Sequence, residues 1–141
     1  MGTVSPRAAG PPTSVEQLLA DARATLHRLS AKEAHDAMQD GAELIDIRSD
    51  SQRASDGVIP GSRRVPRNVL EWRLDPACPH RDPVLGRADA RIVVLCDEGY
   101  QSSLAAATIR SFGVVAATDV IGGFRAWRAA GLPVEGCPDV G

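Results

Sequence analysis

A nearly uninterrupted apolar run, RIVVLC at residues 91–96, constrains the fold of this chain more than any other stretch. A strand with so few polar positions is typical of a parallel sheet, in which helices cover both faces. Three other segments also predict strands: ELIDIR at 43–48, RRVP at 63–66 and ATDVIGG at 117–123. Helical patterns lie between these segments, so the sequence predicts an α/β domain with a mainly parallel sheet.

The helical signals begin near the N-terminus. Ser14 precedes leucines and alanines at helical spacing, which predicts a helix over residues 14–29. Ser30 and Glu33 form the Ser-x-x-Glu pattern of a capping box and predict the start of a second helix. Further helices are expected over residues 101–112 and over the segment FRAWRAAG near the C-terminus.

The length of 141 residues suits a single domain with one core. Residues 1–13 are polar and rich in proline and glycine, so we expect a disordered N-terminal segment there. The predicted helix over 14–29 follows, then the domain proper over 30–134 and a C-terminal tail over 135–141. Both tryptophans are interpreted as residues of the core.

The charge pattern argues against several classes of partner. The formal net charge is −2, and every basic residue except Lys32 is an arginine, scattered along the chain. Neither a nucleic acid nor a membrane is therefore expected as a partner. No apolar run approaches the roughly 20 residues that span a bilayer. The N-terminus lacks the apolar core of a signal peptide, so we expect a cytoplasmic protein.

The chain has three cysteines, Cys78, Cys96 and Cys137. An odd number at wide spacing does not indicate a disulfide framework. No CxxC or HxxxH pair supplies the ligands that a zinc site needs, so neither a metal nor another cofactor is expected. Cys78 and Cys137 are interpreted as incidental thiols, and Cys137 also suits a role as disulfide partner of a modified Cys96.

Cys96 stands where the predicted strand over 91–96 gives way to a helix. In the stretch CDEGYQSS, residues 96–103, backbone N–H groups and the helix dipole favour an anionic sulfur. Gly99 permits a tight turn, and Ser102 suits either a helix cap or a hydrogen bond to sulfur. We expect Cys96 to be the catalytic nucleophile. The substrate-binding loop is expected to consist of Asp97, Glu98, Gly99, Tyr100, Gln101 and Ser102.

Two more polar residues, Asp46 and Arg48, lie at the end of another predicted strand. Ligands of parallel sheets bind beyond the carboxyl ends of the strands, which places these residues on the same side as Cys96. We interpret them as an ion pair that supports the loop rather than as catalytic groups. The alternative for Cys96 is a structural cysteine at a strand end, because a free cysteine often behaves as a small buried hydrophobe.

Three motifs, in order, carry a resemblance to a known family. The segments LIDIRSDSQRASDGVIPGS, VVLCDEGYQSS and VIGGFRAWRAAGLPV resemble the strand-turn signature, active-site loop and closing helix of the rhodanese homology domain. The resemblance runs from about Ser30 to Pro133 and implies a mainly parallel five-stranded sheet flanked by helices on both faces. It also implies a sulfurtransferase in which Cys96 takes sulfane sulfur from a small-molecule or protein donor. Cys96 would hold this sulfur as a persulfide and pass it to a thiol acceptor.

The loop departs from the pattern of that family in its charges. Gln101 stands where many active members carry arginine, and Asp97 and Glu98 place two carboxylates beside the thiol. Because like charges repel, an anionic donor should bind poorly, and we expect weak turnover of thiosulfate.

Two other functions are compatible with the same motifs. A non-catalytic module that binds a partner, or senses sulfur or redox state, is the main alternative, and the acidic loop favours it. A phosphatase or arsenate reductase would need a longer loop that ends in arginine. Ser102 stands at that position, so we consider this function the least favoured of the three.

Overall fold

The computed structural model describes residues 10–138, which form a four-stranded sheet. The strands lie in the spatial order β2-β1-β3-β4, and each pairing is parallel. Their bounds are β1 Glu43–Asp46, β2 Arg63–Arg64, β3 Ile92–Leu95 and β4 Thr118–Asp119. The prediction of an α/β domain with a mainly parallel sheet is confirmed.

The helices alternate with these strands. Within residues 10–138 they are α1 Val15–Ala24, α2 Ala31–Gln39, α3 Asp50–Asp56, α4 Leu70–Leu74, α5 Gln101–Ser111 and α6 Gly123–Ala129, with a 3-10 turn at Arg67–Val69. Helix α3 was not predicted from the sequence. Its start is encoded by Ser49 and Gln52, whose side chains each bond the other's backbone N–H at 3.1 Å in a capping box.

The prediction of a fifth strand is wrong for the part of the chain that the structure describes. At the sheet edge next to β4, Leu29 forms a single parallel bridge to Val120. Two hydrogen bonds hold it, from Leu29 N–H to the Asp119 carbonyl at 3.1 Å and from Ile121 N–H to the Leu29 carbonyl at 2.8 Å. Because Ser30 caps α2 immediately afterwards, the extended segment is too short to form a strand.

The first helix is also shorter than predicted. It ends at Ala24, where the prediction extended it to residue 29. The Thr25 hydroxyl donates to the Ala22 carbonyl at 2.7 Å and closes the last turn. Apolar spacing continues beyond the helix because Leu26 packs against the core and Leu29 joins the sheet edge.

Helices cover both faces of the sheet. On one face Ile45 and Val94 pack with residues of α4 and α5, and on the other Leu44 packs with residues of α2 and α6. Because successive side chains of a strand point to opposite faces of the sheet, each strand contributes residues to both cores. Trp127 is fully buried as expected, whereas Trp72 is 57% exposed, because α4 directs its two leucines inward instead.

The two ends of the chain lie partly outside the described residues. The predicted disordered segment falls largely on residues 1–9, and the predicted tail ends in residues 139–141, neither of which the structure describes. The tail begins with Glu135, which pairs with Val58 in an antiparallel bridge through two hydrogen bonds of 2.8 Å. Between residues 10 and 138, no helix is long and apolar enough to cross a membrane.

Candidate active site

Cys96 follows β3 directly, and α5 begins five residues later at Gln101. Its sulfur accepts two backbone hydrogen bonds, from Gly99 N–H at 3.2 Å and from Ser102 N–H at 3.4 Å. The residue is 7% exposed. Backbone donors that converge on one atom form an anion-binding concavity, so the loop is built to hold a negatively charged sulfur.

The loop keeps this shape because it packs directly on the turn before α6. Gly99 has φ of +85°, and a Cβ atom there would lie 2.7 Å from the Gly122 nitrogen. A Cβ atom on Gly123 would lie 2.5 Å from the Cys96 carbonyl oxygen. That carbonyl accepts the Phe124 N–H at 2.9 Å, so α6 holds the loop from behind through backbone contacts.

The two loop carboxylates have a cationic partner that the sequence analysis did not identify. Arg125, on α6, donates to Asp97 at 2.9 Å and lies 3.6 Å from Glu98. The hydrogen bond to Asp97, together with the attraction of both carboxylates, raises the pKa of Arg125 above its ordinary value. One positive charge therefore offsets part of the repulsion that the sequence predicted for an anionic donor.

A cavity of about 540 Å³ opens beside Cys96. Tyr100 and Gln101 line it, and both residues are exposed. Two further arginines, Arg64 and Arg67, also line the cavity and were not predicted as site residues. Arg64 ends β2, so the rule that ligands bind at the carboxyl ends of strands was the signal available for it.

Arg64 and Arg67 are only partly paired. Arg64 donates to Asp50 at 2.7 Å, but its Nε and Nη1 are buried without a hydrogen-bond partner among the described residues. Arg67 donates to Glu71 at 2.7 Å, and its Nε likewise has no partner there. Both side chains line the cavity, so they place positive charge in its wall.

Asp46 and Arg48 form the predicted ion pair. Arg48 donates to the two Asp46 carboxylate oxygens at 2.9 and 3.1 Å and to the Gly57 carbonyl at 2.7 Å. Its guanidinium also lies 3.8 Å from the centre of the Phe124 ring. Both side chains are almost completely buried, so the pair joins β1 to the end of α3 and to α6.

Ser102 has a different role from either of those predicted. Its hydroxyl neither caps α5 nor bonds the sulfur, but donates to the buried Asp119 carboxylate at 2.7 Å. The Ser103 hydroxyl donates to the same oxygen at 2.8 Å. Arg28 completes the group with two bonds to Asp119, at 2.9 and 3.2 Å. The sequence predicted the strand that carries Asp119, but gave no sign that its carboxylate lies behind the loop.

The other two cysteines are not part of this site. Cys78 lines a separate cavity beside Trp72, and Cys137 is a half-buried thiol near the C-terminus. The cavity beside the loop is lined by Cys96 and by neither of the others.

Comparison with known proteins agrees with this geometry. The thiosulfate sulfurtransferase GlpE of Ectopseudomonas mendocina (strain ymp) is 33% identical over 102 residues, covering 72% of this chain and 84% of the relative. The protein of the same name from Pseudomonas aeruginosa (strain LESB58) is 30% identical over 105 residues, covering 74% and 86% of the two chains.

Solved structures show the same architecture. A protein of unknown function from Rhodopseudomonas palustris CGA009, described as a possible tyrosine phosphatase, superposes with a TM-score of 0.79 at 31% identity, covering 95% of this chain and all of that one. The polysulfide-sulfur transferase of Wolinella succinogenes shares the fold, with a TM-score of 0.69 at 23% identity and 89% of both chains covered. The family model for the rhodanese-like domain matches residues 30–130. The chain belongs to the rhodanese-like domain family.

Proposed function

We propose that this chain is a sulfurtransferase that carries sulfane sulfur as a persulfide on Cys96. The observation that carries this proposal is the pair of backbone N–H groups on the Cys96 sulfur, beside an open cavity. Such donors stabilise an anionic sulfur without transferring a proton to it. The names of the relatives, thiosulfate sulfurtransferase, support the same chemistry.

The proposed reaction has two half-reactions. The Cys96 thiolate first attacks the outer sulfur of the donor. With thiosulfate, the new S–S bond forms as the S–S bond of the donor breaks, and sulfite leaves with the electron pair. In the second half-reaction an acceptor thiolate attacks the terminal persulfide sulfur, and Cys96 leaves as a thiolate. Total charge is conserved in both steps, and the acceptor gains one sulfur.

The loop contributes to both steps by holding the sulfur in place. Gly99 and Ser102 N–H groups stabilise the attacking thiolate in the first step and the same thiolate as leaving group in the second. Because Cys96 is 7% exposed, the donor has to enter the cavity to reach it.

The cavity charges bear on which donors bind. The expectation of weak thiosulfate turnover assumed two uncompensated carboxylates, but Arg125 pairs with both of them. Arg64 and Arg67 add positive charge to the cavity. We therefore propose that a donor with an oxyanion binds with that group against Arg64 and Arg67, and with its sulfane sulfur toward Cys96.

The alternative function is a non-catalytic module that binds a partner. Persulfide formation on Cys96 distinguishes the two functions. The module is supported by Gln101, which provides no cation at the end of the loop. A phosphatase is not supported, because the Ser102 hydroxyl is bonded to Asp119 and does not replace an arginine that would bind phosphate.

Intact-protein mass spectrometry tests the proposal. The protein is incubated with thiosulfate or with cysteamine persulfide, a donor without an oxyanion, and then desalted. We expect a gain of one sulfur atom in the wild type and in Cys137→Ser, the matched control, but not in Cys96→Ser. A gain that survives in Cys96→Ser would contradict the assignment of the nucleophile. No gain with either donor in folded protein would favour the binding module.

A further inference from the structure

We propose that Arg23 and Arg28 are positioning residues for the active-site loop. Both precede residues 30–130, the part of the chain that matches the family model. The inference rests on the proposed role of Cys96 as a sulfur carrier. It adds that the segment before the family domain completes the site, by fixing the loop and by placing positive charge behind it.

The two guanidinium groups converge on one backbone atom. Arg23, in the last turn of α1, donates from Nη2 to the Gly99 carbonyl at 2.8 Å. Arg28, in the extended segment after α1, donates from Nη2 to the same oxygen at 3.0 Å. Gly99 is the residue whose N–H bonds the Cys96 sulfur, so both arginines hold the residue that forms the sulfur site.

Further N–H groups of the two arginines reach the start of α5, those of Arg23 directly and those of Arg28 through Asp119 on β4. Arg23 donates from Nε to the Ser103 hydroxyl at 3.1 Å, and its guanidinium lies 5.5 Å from the centre of the Tyr100 ring. Arg28 donates from Nε to Asp119 at 2.9 Å. Asp119 in turn accepts from the hydroxyl of Ser102, whose backbone N–H is the second donor to the sulfur. Both arginines therefore contact Gly99, which supplies the first donor to the sulfur. Arg28 also contacts Asp119, which holds Ser102, the residue that supplies the second donor.

Fixing the Gly99 carbonyl also fixes the conformation of the loop. Gly99 has φ of +85°, where a glycine backbone is free to move unless its neighbours hold it. A peptide unit is planar, so a carbonyl bonded to two guanidinium groups cannot turn toward the thiol without breaking both bonds. The arginines thus prevent a rotation that would bring a carbonyl dipole toward an anionic sulfur.

The group also carries net positive charge. Arg23 and Arg28 contribute two positive charges and the buried Asp119 one negative charge, which leaves one positive charge behind the loop. In front of the loop, Arg125 offsets only one of the two negative charges of Asp97 and Glu98, so the positive charge behind the loop balances the negative charge that remains. This charge stands in for the loop cation that Gln101 does not provide.

The test measures the pH dependence of Cys96 alkylation by iodoacetamide, in a background that carries Cys78→Ser and Cys137→Ser. We expect Arg23→Gln to raise the pH at half-maximal rate, whereas Arg23→Lys, which keeps the charge, raises it less. Arg91→Gln is the matched control: it removes the same charge, and Arg91 bonds the Asp40 carbonyl at 2.7 Å, away from the loop. Circular dichroism and thermal melts establish that each variant is folded.

The outcomes separate this inference from the proposed function. Alkylation needs no sulfur donor, so it reports on the loop even if no persulfide forms in the wild type. A midpoint that moves no further in folded Arg23→Gln than in Arg91→Gln would overturn the inference. Arg28→Gln leaves Asp119 with one bond partner fewer and is expected to lower the melting temperature, so the decision rests on Arg23→Gln.

Discussion

Replacing Arg64 and Arg67 in the cavity wall should separate donors that carry an oxyanion from donors that do not. Arg64→Gln and Arg67→Gln keep side chains of comparable polarity but remove the positive charge and the fork of N–H groups. If an oxyanion lies against these residues, both variants should lose activity with thiosulfate. They should retain activity with cysteamine persulfide, which has no oxyanion for them to bind.

The expected loss follows from the hydrogen bonds that Arg64 and Arg67 have to offer. Each guanidinium donates a side-chain hydrogen bond, to Asp50 or to Glu71, and keeps further N–H groups for an anion. A hydrogen bond to a charged group contributes about 1.5–3 kcal/mol, and the lower value corresponds to roughly a tenfold change in an equilibrium or rate ratio. We therefore expect about a tenfold lower kcat/KM for thiosulfate in each single variant. The Arg64–Asp50 pair itself contributes little to stability, since Asp50 is 91% exposed.

Sulfite release under single-turnover conditions is the assay for thiosulfate, and the mass of the protein is the assay for the second donor. The double variant should lose more than either single variant, although neighbouring charges that share one ligand need not act additively. Asp50→Asn is the control, because it removes the partner of Arg64 and keeps the guanidinium. Equal losses with both donors would refute the reasoning, since the arginines would then support the fold of the site and not the oxyanion.

Three further predictions concern the loop and the helix caps. Gln101→Arg should raise thiosulfate turnover by about tenfold, since Arg125 already occupies Asp97 and Glu98 and leaves the new cation free to face the donor; unchanged initial rates would show that this position does not limit the reaction. Gly99→Ala should destabilise the protein in urea more than Gly41→Ala does: both glycines have positive φ, a strain of about 1–2 kcal/mol, but a Cβ atom clashes with backbone only at Gly99. Equal losses of unfolding free energy in these two variants would contradict the close packing of the loop. In α2, hydrogen bonds from Ser30 hold the pKa of Glu33 below its ordinary value of 4.5, so its stabilisation is present above that pH and disappears as the pH falls through the lowered value. The melting temperature of the wild type relative to Glu33→Gln should accordingly fall between pH 7 and pH 3, and a constant difference would show that the Glu33 charge does not contribute.

The sequence was sufficient for those features that depend on neighbouring residues. The strand before Cys96, the turn at Gly99 and the helix after it lie within one short stretch, so the local pattern predicted the backbone geometry around the Cys96 sulfur. The ion pair of Asp46 and Arg48 was also predictable, because two residues at a strand end remain close in any parallel sheet.

The remaining features depend on residues that are distant in the sequence. Arg125 reaches the loop because the turn before α6 packs against it, and Arg28 reaches Asp119 because Leu29 pairs with Val120. Nothing in a chain with arginines throughout distinguishes these two from the other arginines. The end of α1 was missed for a similar reason, since the backbone of Leu29 is used by the sheet while its side chain continues a helical pattern.

The buried Asp119 has a consequence for where this protein can be divided. A fragment that starts at residue 30 would keep every motif of the family but would lose Arg28, which bonds both oxygens of that carboxylate. Leaving a buried charge without its partner costs about 3–5 kcal/mol, a large share of the 5–15 kcal/mol by which folded domains are usually stable. The smallest autonomous unit therefore starts before the family boundary, and recombination or gene fusion at that boundary would yield a poorly folded product.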